Sequence, residues 1–126
     1  MAWEIEFTDE FDRWWNSLTE PEQESVTFGV DLLSALGPAL SRPYADTIKG
    51  SVYPNLKELR VQHEGRPYRV LYLFDPRRVG LLLIGGDKTG NANWYVEAIR
   101  KAEKIVCRPS KESEEIIRGL PHPIWE

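Results

Sequence analysis

Two apolar runs, residues 68–74 and 79–84, separated only by Asp75-Pro76 and two arginines, constrain this chain more than any other feature. Runs that are apolar at nearly every position belong to strands covered on both faces for much of their length. A break of four residues that opens with Asp-Pro is a turn. The two runs therefore read as neighbouring antiparallel strands near the centre of a sheet. A third strand precedes them over residues 56–63, joined through Glu64-Gly65-Arg66. It alternates, with Leu59 and Val61 on one face and Glu58, Arg60 and Gln62 on the other. That is the pattern of an outer strand with one wet side. Gly85-Gly86 is expected to let the chain leave the sheet into a polar loop over residues 87–93.

Around this meander the remaining segments read as one strand and three helices. Trp3, Ile5 and Phe7 alternate with Glu4, Glu6 and Thr8, a short half-buried strand. Thr8 or Asp9 can cap the helix that follows. Its apolar face is Phe11, Trp14, Trp15 and Leu18, at i, i+3, i+4 and i+7. Thr19 caps a second helix with Pro21 in its first turn, where proline is tolerated. Val26, Val30, Leu33 and Leu36 form its stripe, and Gly37-Pro38 ends it. Residues 38–54, rich in Pro, Gly and Ser, are expected to form a loop. Asn91 or Asn93 caps a last helix with Trp94, Tyr95, Ala98, Ile99, Ala102, Ile105 and Val106 buried and Arg100, Lys101, Glu103 and Lys104 outward. Pro109 stops it. The order is β-α-α-β-β-β-α, consecutive antiparallel strands with helices to one side, which indicates an α+β domain with a small twisted antiparallel sheet, an N-terminal helical hairpin and a C-terminal helix. A short extra helix over residues 110–118 and an irregular tail complete the chain.

Charge narrows the partners. Residues 1–41 carry one basic and nine acidic side chains, a net of −8, whereas residues 42–104 carry twelve and seven, a net of +5. A basic middle can attract an anionic partner although the whole chain is at −4, because salt screens distant charges. The bland alternative is a solvated strand surface. No apolar run approaches the roughly 20 residues that cross a bilayer. The acidic, alternating N-terminus is the wrong pattern for a signal peptide. Cys107 is the only cysteine, so no internal disulfide forms, and zinc would lack soft ligands. It reads as a small hydrophobe, and a reducing cytoplasm is the expected compartment, with no membrane partner.

The residues Leu56-Lys57-Glu58-Leu59-Arg60, Tyr68-Arg69-Val70-Leu71-Tyr72, Gly85-Gly86-Asp87-Lys88-Thr89 and Trp94-Tyr95, in that order and spacing, resemble the RelE/ParE toxin superfamily. Within it the chain is most similar to the phage-derived HigB-like branch. The resemblance covers roughly residues 3–106. It implies a RelE-like toxin domain over residues 1–108 and a C-terminal extension over residues 109–126. It implies the toxin of a type II toxin–antitoxin module. One activity in the superfamily is ribosome-dependent cleavage of mRNA without a metal or other cofactor. Another is inhibition of DNA gyrase. A degenerate, antitoxin-binding regulator is a third reading. The implied partners are a cognate helix-turn-helix antitoxin, the ribosome and its mRNA, and operator DNA reached through the antitoxin. The acidic helices or the tail after Pro109 are candidate antitoxin docking surfaces.

Metal-free RNA cleavage uses the substrate's 2′-hydroxyl as nucleophile. The protein must take its proton, stabilise a phosphorane and protonate the leaving oxygen. Arginine suits the phosphorane because its planar fork pairs with two oxygens. Arg69 is the leading candidate: it interrupts an apolar central strand, where a charge is costly without a partner or a purpose. The resemblance places it at the scissile phosphate, and the alternative is an ion pair with Glu58 or Asp87. Arg60 is expected across from Arg69, and Lys88 lies at the mouth of the third strand, where the superfamily carries a basic residue. Arg69, Arg60 and Lys88 are thus the catalytic candidates. Lys57, Lys49, Arg66, Tyr95 and His63 are candidate RNA contacts, as are Arg77 and Arg78 more weakly. Lys57 points away from the face of Arg60, so the superfamily's catalytic lysines are not reproduced there. His63 is either the base or an exposed turn histidine. Tyr95 either touches substrate or packs beside Trp94. His122, in the tail, carries little weight.

Overall fold

The computed structural model describes residues 2–108. The elements are β1 (Ile5–Phe7), α1 (Asp9–Asn16), α2 (Glu20–Leu36), a 3-10 turn (Gly37–Ala39), β2 (Ala45–Thr47), β3 (Lys57–His63), β4 (Arg66–Phe74), β5 (Gly80–Asp87) and α3 (Trp94–Val106). One sheet carries the strands in the order β1-β5-β4-β3-β2. The α1–α2 hairpin packs on one face through Phe11, Val26 and Leu33 against Leu59, Val61, Val70, Tyr72 and Leu82. α3 packs on the other through Ala98, Ala102 and Ile105 against Leu71, Leu73, Leu81 and Leu83. Each large side chain buried this way contributes about 1.5–3 kcal/mol. The α+β class, the hairpin and the last helix are as expected, but the helices cover both faces of the sheet rather than one, because β4 and β5 are apolar on both sides. The helix expected over residues 110–118, the tail and His122 lie outside the described residues.

The sheet is mixed, not antiparallel throughout. β1 runs parallel to β5, with Ile5 opposite Gly80 and Phe7 opposite Leu82. Thr8 explains the direction. Its N–H donates to Leu82 O at 3.1 Å and its hydroxyl to Leu83 O at 2.6 Å. The same hydroxyl accepts from Phe11 N at 3.1 Å and so caps α1. α1 must therefore start at the Leu83 end of β5, which an antiparallel β1 would not reach. Alternation reports which face a side chain takes but not which way a strand runs.

β5 does not leave the sheet at Gly85-Gly86. It continues to Asp87, with Gly85 paired to Val70 and Gly86 to Arg69. A Cβ at Gly85 would lie 2.3 Å from the Trp14 ring, and one at Gly86 2.6 Å from Trp94 Nε1. The glycines admit one indole on each face. A register shift opposite Leu71 and Tyr72 turns both Leu83 and Ile84 toward α3 and sets this order.

The expected loop over residues 38–54 contains β2, which pairs Ala45 with Leu59, Asp46 with Glu58 and Thr47 with Lys57. β3 is therefore not the outermost strand along its first half, and Glu58 is 4% exposed rather than wet. Past this short partner, Arg60 N still donates to Tyr44 O at 2.7 Å. One smaller expectation also changes. Leu36 is 49% exposed at the end of α2. Cys107 is exposed beyond the last turn of α3. The β3–β4 turn is Glu64-Gly65, with φ of 49° and 77°. Positive φ at both central residues is the two-residue hairpin turn that matches strand twist.

Glu22 ties the hairpin to the sheet. Thr19 and Glu22 form a capping box, with Thr19 N donating to Glu22 Oε1 at 2.7 Å. Glu22 Oε2 accepts from the Tyr68 hydroxyl and from Arg66 Nη2 at 3.3 Å. The Tyr68 hydroxyl, and then the Thr19 backbone, lower the Glu22 carboxyl from 4.5 to about 2. A depressed carboxyl adds stability above its ordinary pKa and loses it as pH falls toward the folded value. Wild type is therefore expected to melt higher than Glu22→Gln at pH 7. That gap should close between pH 4.5 and about 2. A gap constant across that window, read by thermal unfolding, would contradict the assignment.

Candidate functional site

Arg60 on β3 and Arg69 on β4 are direct cross-strand partners, so they share the face that carries α3. Glu58, two residues before Arg60, is on the same face, with its side chain 6% exposed. Its Oε2 accepts from Arg60 Nε at 3.3 Å and Nη2 at 3.1 Å. Its Oε1 accepts from the Tyr95 hydroxyl at 2.5 Å and lies 3.3 Å from Arg69 Nε. Arg69 Nε also donates to Tyr95 Oη at 3.2 Å, and Nη1 to Tyr68 O at 3.0 Å. One buried carboxylate therefore orients two guanidiniums and a phenol.

The elements that deliver these groups follow from local sequence. Gly86 faces Arg69 across β4–β5 and lets Trp94 lie on the sheet. Trp94 and Tyr95 open α3, so the fit of the indole sets the phenol over β3 and β4. Lys88 follows β5 directly, and its Nζ lies 5.6 Å from the Tyr95 ring centroid, near cation–π range. Asp46 on β2 lies 3.6 Å from Arg60 and 2.7 Å from Arg42. Burial, then the bond to Glu58, raises the Tyr95 hydroxyl above its ordinary 10. At neutral pH it is a phenol, able to donate and to relay but not to act as a standing phenolate.

The structure thus brings Arg60, Arg69, Lys88 and Tyr95 together. The expected ion pair of Arg69 with Glu58 exists, within the same cluster. The other candidate contacts lie elsewhere. Lys57 is on the hairpin face, its Nζ 3.4 Å from Pro38 O. His63 is not an exposed turn residue: its side chain is 10% exposed, Nδ1 lies 2.8 Å from Ser25 Oγ and Nε2 2.9 Å from Glu64. Arg66 engages Glu22 and Asp87 and stacks 5.3 Å from the Tyr68 ring. Lys49 is exposed after β2. Arg77 binds Asp75 at 2.8 Å, and Arg78 sits 4.5 Å over the Trp3 ring. Glu58 escaped sequence reasoning as a site residue. Its parity with Arg60 was visible, but its burial depends on β2.

The family model for phage-derived Gp49-like proteins matches residues 13–106. The chain belongs to the Gp49-like family. Two Mycobacterium tuberculosis proteins are similar to this Gp49-like chain. "Putative toxin HigB3" is 43% identical over 94 residues, 74% of this chain and 81% of the relative. "Putative toxin HigB2" is 36% identical over 104 residues, 81% of this chain, which spans about half (52%) of that relative's length. A mutant of the E. coli toxin RelE in the free state superposes with a TM-score of 0.60 at 16% identity, covering 80% of this chain and 97% of that one. The archaeal RelE–RelB complex of Pyrococcus horikoshii gives 0.53 at 18% identity, covering 73% of this chain and 100% of that one. At those identities the structures speak for the fold, which is RelE-like and HigB-like in this Gp49-like chain.

Proposed function

We propose that this Gp49-like chain is the toxin of a type II toxin–antitoxin module and acts as a ribosome-dependent mRNA endoribonuclease. The observation that carries the reading is the Arg60–Arg69 pair held beside Tyr95 by buried Glu58, with Lys88 at its edge. The toxin names of its mycobacterial relatives support it. The two guanidiniums take the non-bridging oxygens of the scissile phosphate, and their charge stabilises the phosphorane as it forms. The 2′-hydroxyl proton passes to Tyr95 Oη while the phenol proton passes to Glu58, so the phenol stays neutral and the carboxylate is the final acceptor. The 2′-oxygen bonds to phosphorus and the bond to the 5′-oxygen breaks. Lys88, at the edge of the site, gives an ammonium proton to the departing 5′-oxygen, so the products are a 2′,3′-cyclic phosphate and a 5′-hydroxyl. All steps use groups of the chain itself.

The partners of this reading are a cognate antitoxin of helix-turn-helix type, the ribosome with its mRNA, and operator DNA reached through the antitoxin. The RelE–RelB complex among the structural neighbours supports the antitoxin. Purified protein added to translating ribosomes is expected to give codon-positioned cuts in primer extension. Intact mRNA sinks the proposal. A second reading, gyrase inhibition, is favoured by one observation: Lys57 faces away from the arginines, which leaves the site without a lysine from β3. It predicts blocked supercoiling and no cleavage.

Tyr95→Phe removes the relay and almost no volume. It is expected to slow cutting about 10²-fold, the scale of positioned proton transfer, while leaving the melting temperature within a few degrees. Glu58→Gln should slow cutting comparably. Full activity in single-turnover cutting by Tyr95→Phe would remove the phenol from the mechanism.

A further inference from the structure

A groove of about 650 Å³ adjoins the arginine pair where α2 passes β3. Its lining runs from Arg60 and Arg69 to Glu24, Ser25 and Phe28 of α2, with Tyr44 from the segment before β2. The helix residues recur at i, i+1 and i+4, so they share one face of α2. Gly29 brings that helix close to the sheet, since a Cβ there would lie 3.0 Å from Val61. Phe28 is 61% and Tyr44 42% exposed, two of the five large exposed hydrophobic residues among those described. Exposed rings beside paired guanidiniums form a platform on which a flat base can stack.

The polar groups of the helix wall are not equally available. Ser25 Oγ already lies 2.8 Å from His63 Nδ1, and Glu22 is held by Tyr68 and Arg66. Glu24 is exposed and has no such tie among the described residues. The groove is thus polarised, with guanidiniums on the sheet side and a carboxylate on the helix side. RNA suits both walls when its phosphate lies on the arginines and its base on the helix. A base carries no charge, so the glutamates of α2 turn away the anionic backbone but not the base, and the strand is held one way round. A carboxylate offers acceptors and no donor. Among the four RNA bases, guanine alone presents two adjacent donors on its Watson–Crick edge, N1–H and the N2 amino group.

We propose that this groove reads a guanine next to the scissile phosphate: the base stacks on Phe28 and Tyr44, and its N1–H and N2 amino group donate to the Glu24 carboxylate. Stacking supplies affinity for any base, and the paired hydrogen bonds supply the choice. Codon preference is then set in part by Glu24, a residue outside the cluster of Arg60, Arg69 and Tyr95. The effect on cutting rests on the ribonuclease reading; selective binding of guanine does not.

Two measurements on the full chain test it. The first is primer extension on translating ribosomes with messages that carry every codon. Wild type is expected to cut about tenfold better with guanine than with adenine at one fixed position beside the cut. Glu24→Gln, on an exposed position, replaces one acceptor with a donor. An amide of that kind matches adenine or cytosine, so the preference should move to those bases. Phe28→Ala should slow cutting about tenfold whichever base is present. A codon profile that Glu24→Gln leaves unchanged overturns the proposal. The second measurement titrates guanosine monophosphate and adenosine monophosphate into the chain without ribosomes, followed by amide NMR. The guanine nucleotide is expected to shift the Phe28 and Tyr44 signals saturably and about tenfold more tightly, and Glu24→Gln should abolish the difference. Equal binding of the two nucleotides overturns the site even where mRNA is cut. Selective guanine binding with no cutting at any codon overturns the ribonuclease reading and leaves the guanine site standing.

Discussion

Arg69→Ala is expected to lower ribosome-dependent mRNA cutting by about 10³-fold or more, close to 4 kcal/mol of transition-state stabilisation. Arg69 holds the centre of the site: its Nε is shared between Glu58 and Tyr95 and its Nη1 is fixed by Tyr68 O. A guanidinium so oriented needs no reorganisation when a phosphate arrives, and the charge it offers sits in a partly dry site. The substitution also leaves Glu58 with one cationic partner fewer in a buried position. A stability loss of about 1–3 kcal/mol should accompany it. Arg69→Lys separates the two effects. It restores a charge near Glu58 but not the planar fork, so it should recover most of the stability while cutting remains about 10²-fold slow. Thermal unfolding and single-turnover primer extension on the three proteins read both quantities. An Arg69→Ala protein that folds and cuts within tenfold of wild type would remove Arg69 from the chemistry.

Gly85→Ala is expected to destabilise the fold by about 3 kcal/mol, a large share of the roughly 5–15 kcal/mol that holds such a domain together. The new methyl would lie 2.3 Å from the Trp14 ring. That ring cannot simply tilt away, since it packs edge-on against Phe11 at 5.6 Å and Tyr68 at 6.3 Å. Strand propensity alone predicts the opposite sign, because alanine loses less entropy than glycine on ordering. In a Trp14→Leu background the cost of Gly85→Ala should fall by at least half. Chemical denaturation of the four proteins closes the cycle, and an unchanged cost in that background would show that the indole is not the obstacle.

Much of the fold was legible because it rests on local rules. Thr8 and Thr19 cap helices where a hydroxyl before an apolar stripe should. Gly65 suits the positive φ of the β3–β4 turn, whereas Glu64 takes φ of 49° against its own preference. The runs at residues 68–74 and 79–84 became the two central strands of the sheet. The sequence placed Arg60 across from the Arg69 region but read the turn as three residues, and the two-residue Glu64-Gly65 turn is what makes them direct partners. Less was readable where two distant segments meet. Gly85-Gly86 looked like an exit from the sheet because Trp14 and Trp94, the reason for both glycines, are remote in sequence. β2 was hidden because Ala45, Asp46 and Thr47 carry little strand character of their own and become a strand only against β3. With β2 unseen, Glu58 read as a wet side chain.

The sequence by itself therefore determined the three helices, the three-strand meander and the faces of its strands, because periodicity, caps and turns act over a few residues. Only the tertiary structure decided the direction of β1, the path of β5 through its glycines and the burial of Glu58 among Arg60, Arg69 and Tyr95. Those depend on which remote side chains occupy the same space, and chain-local patterns hold no information about that.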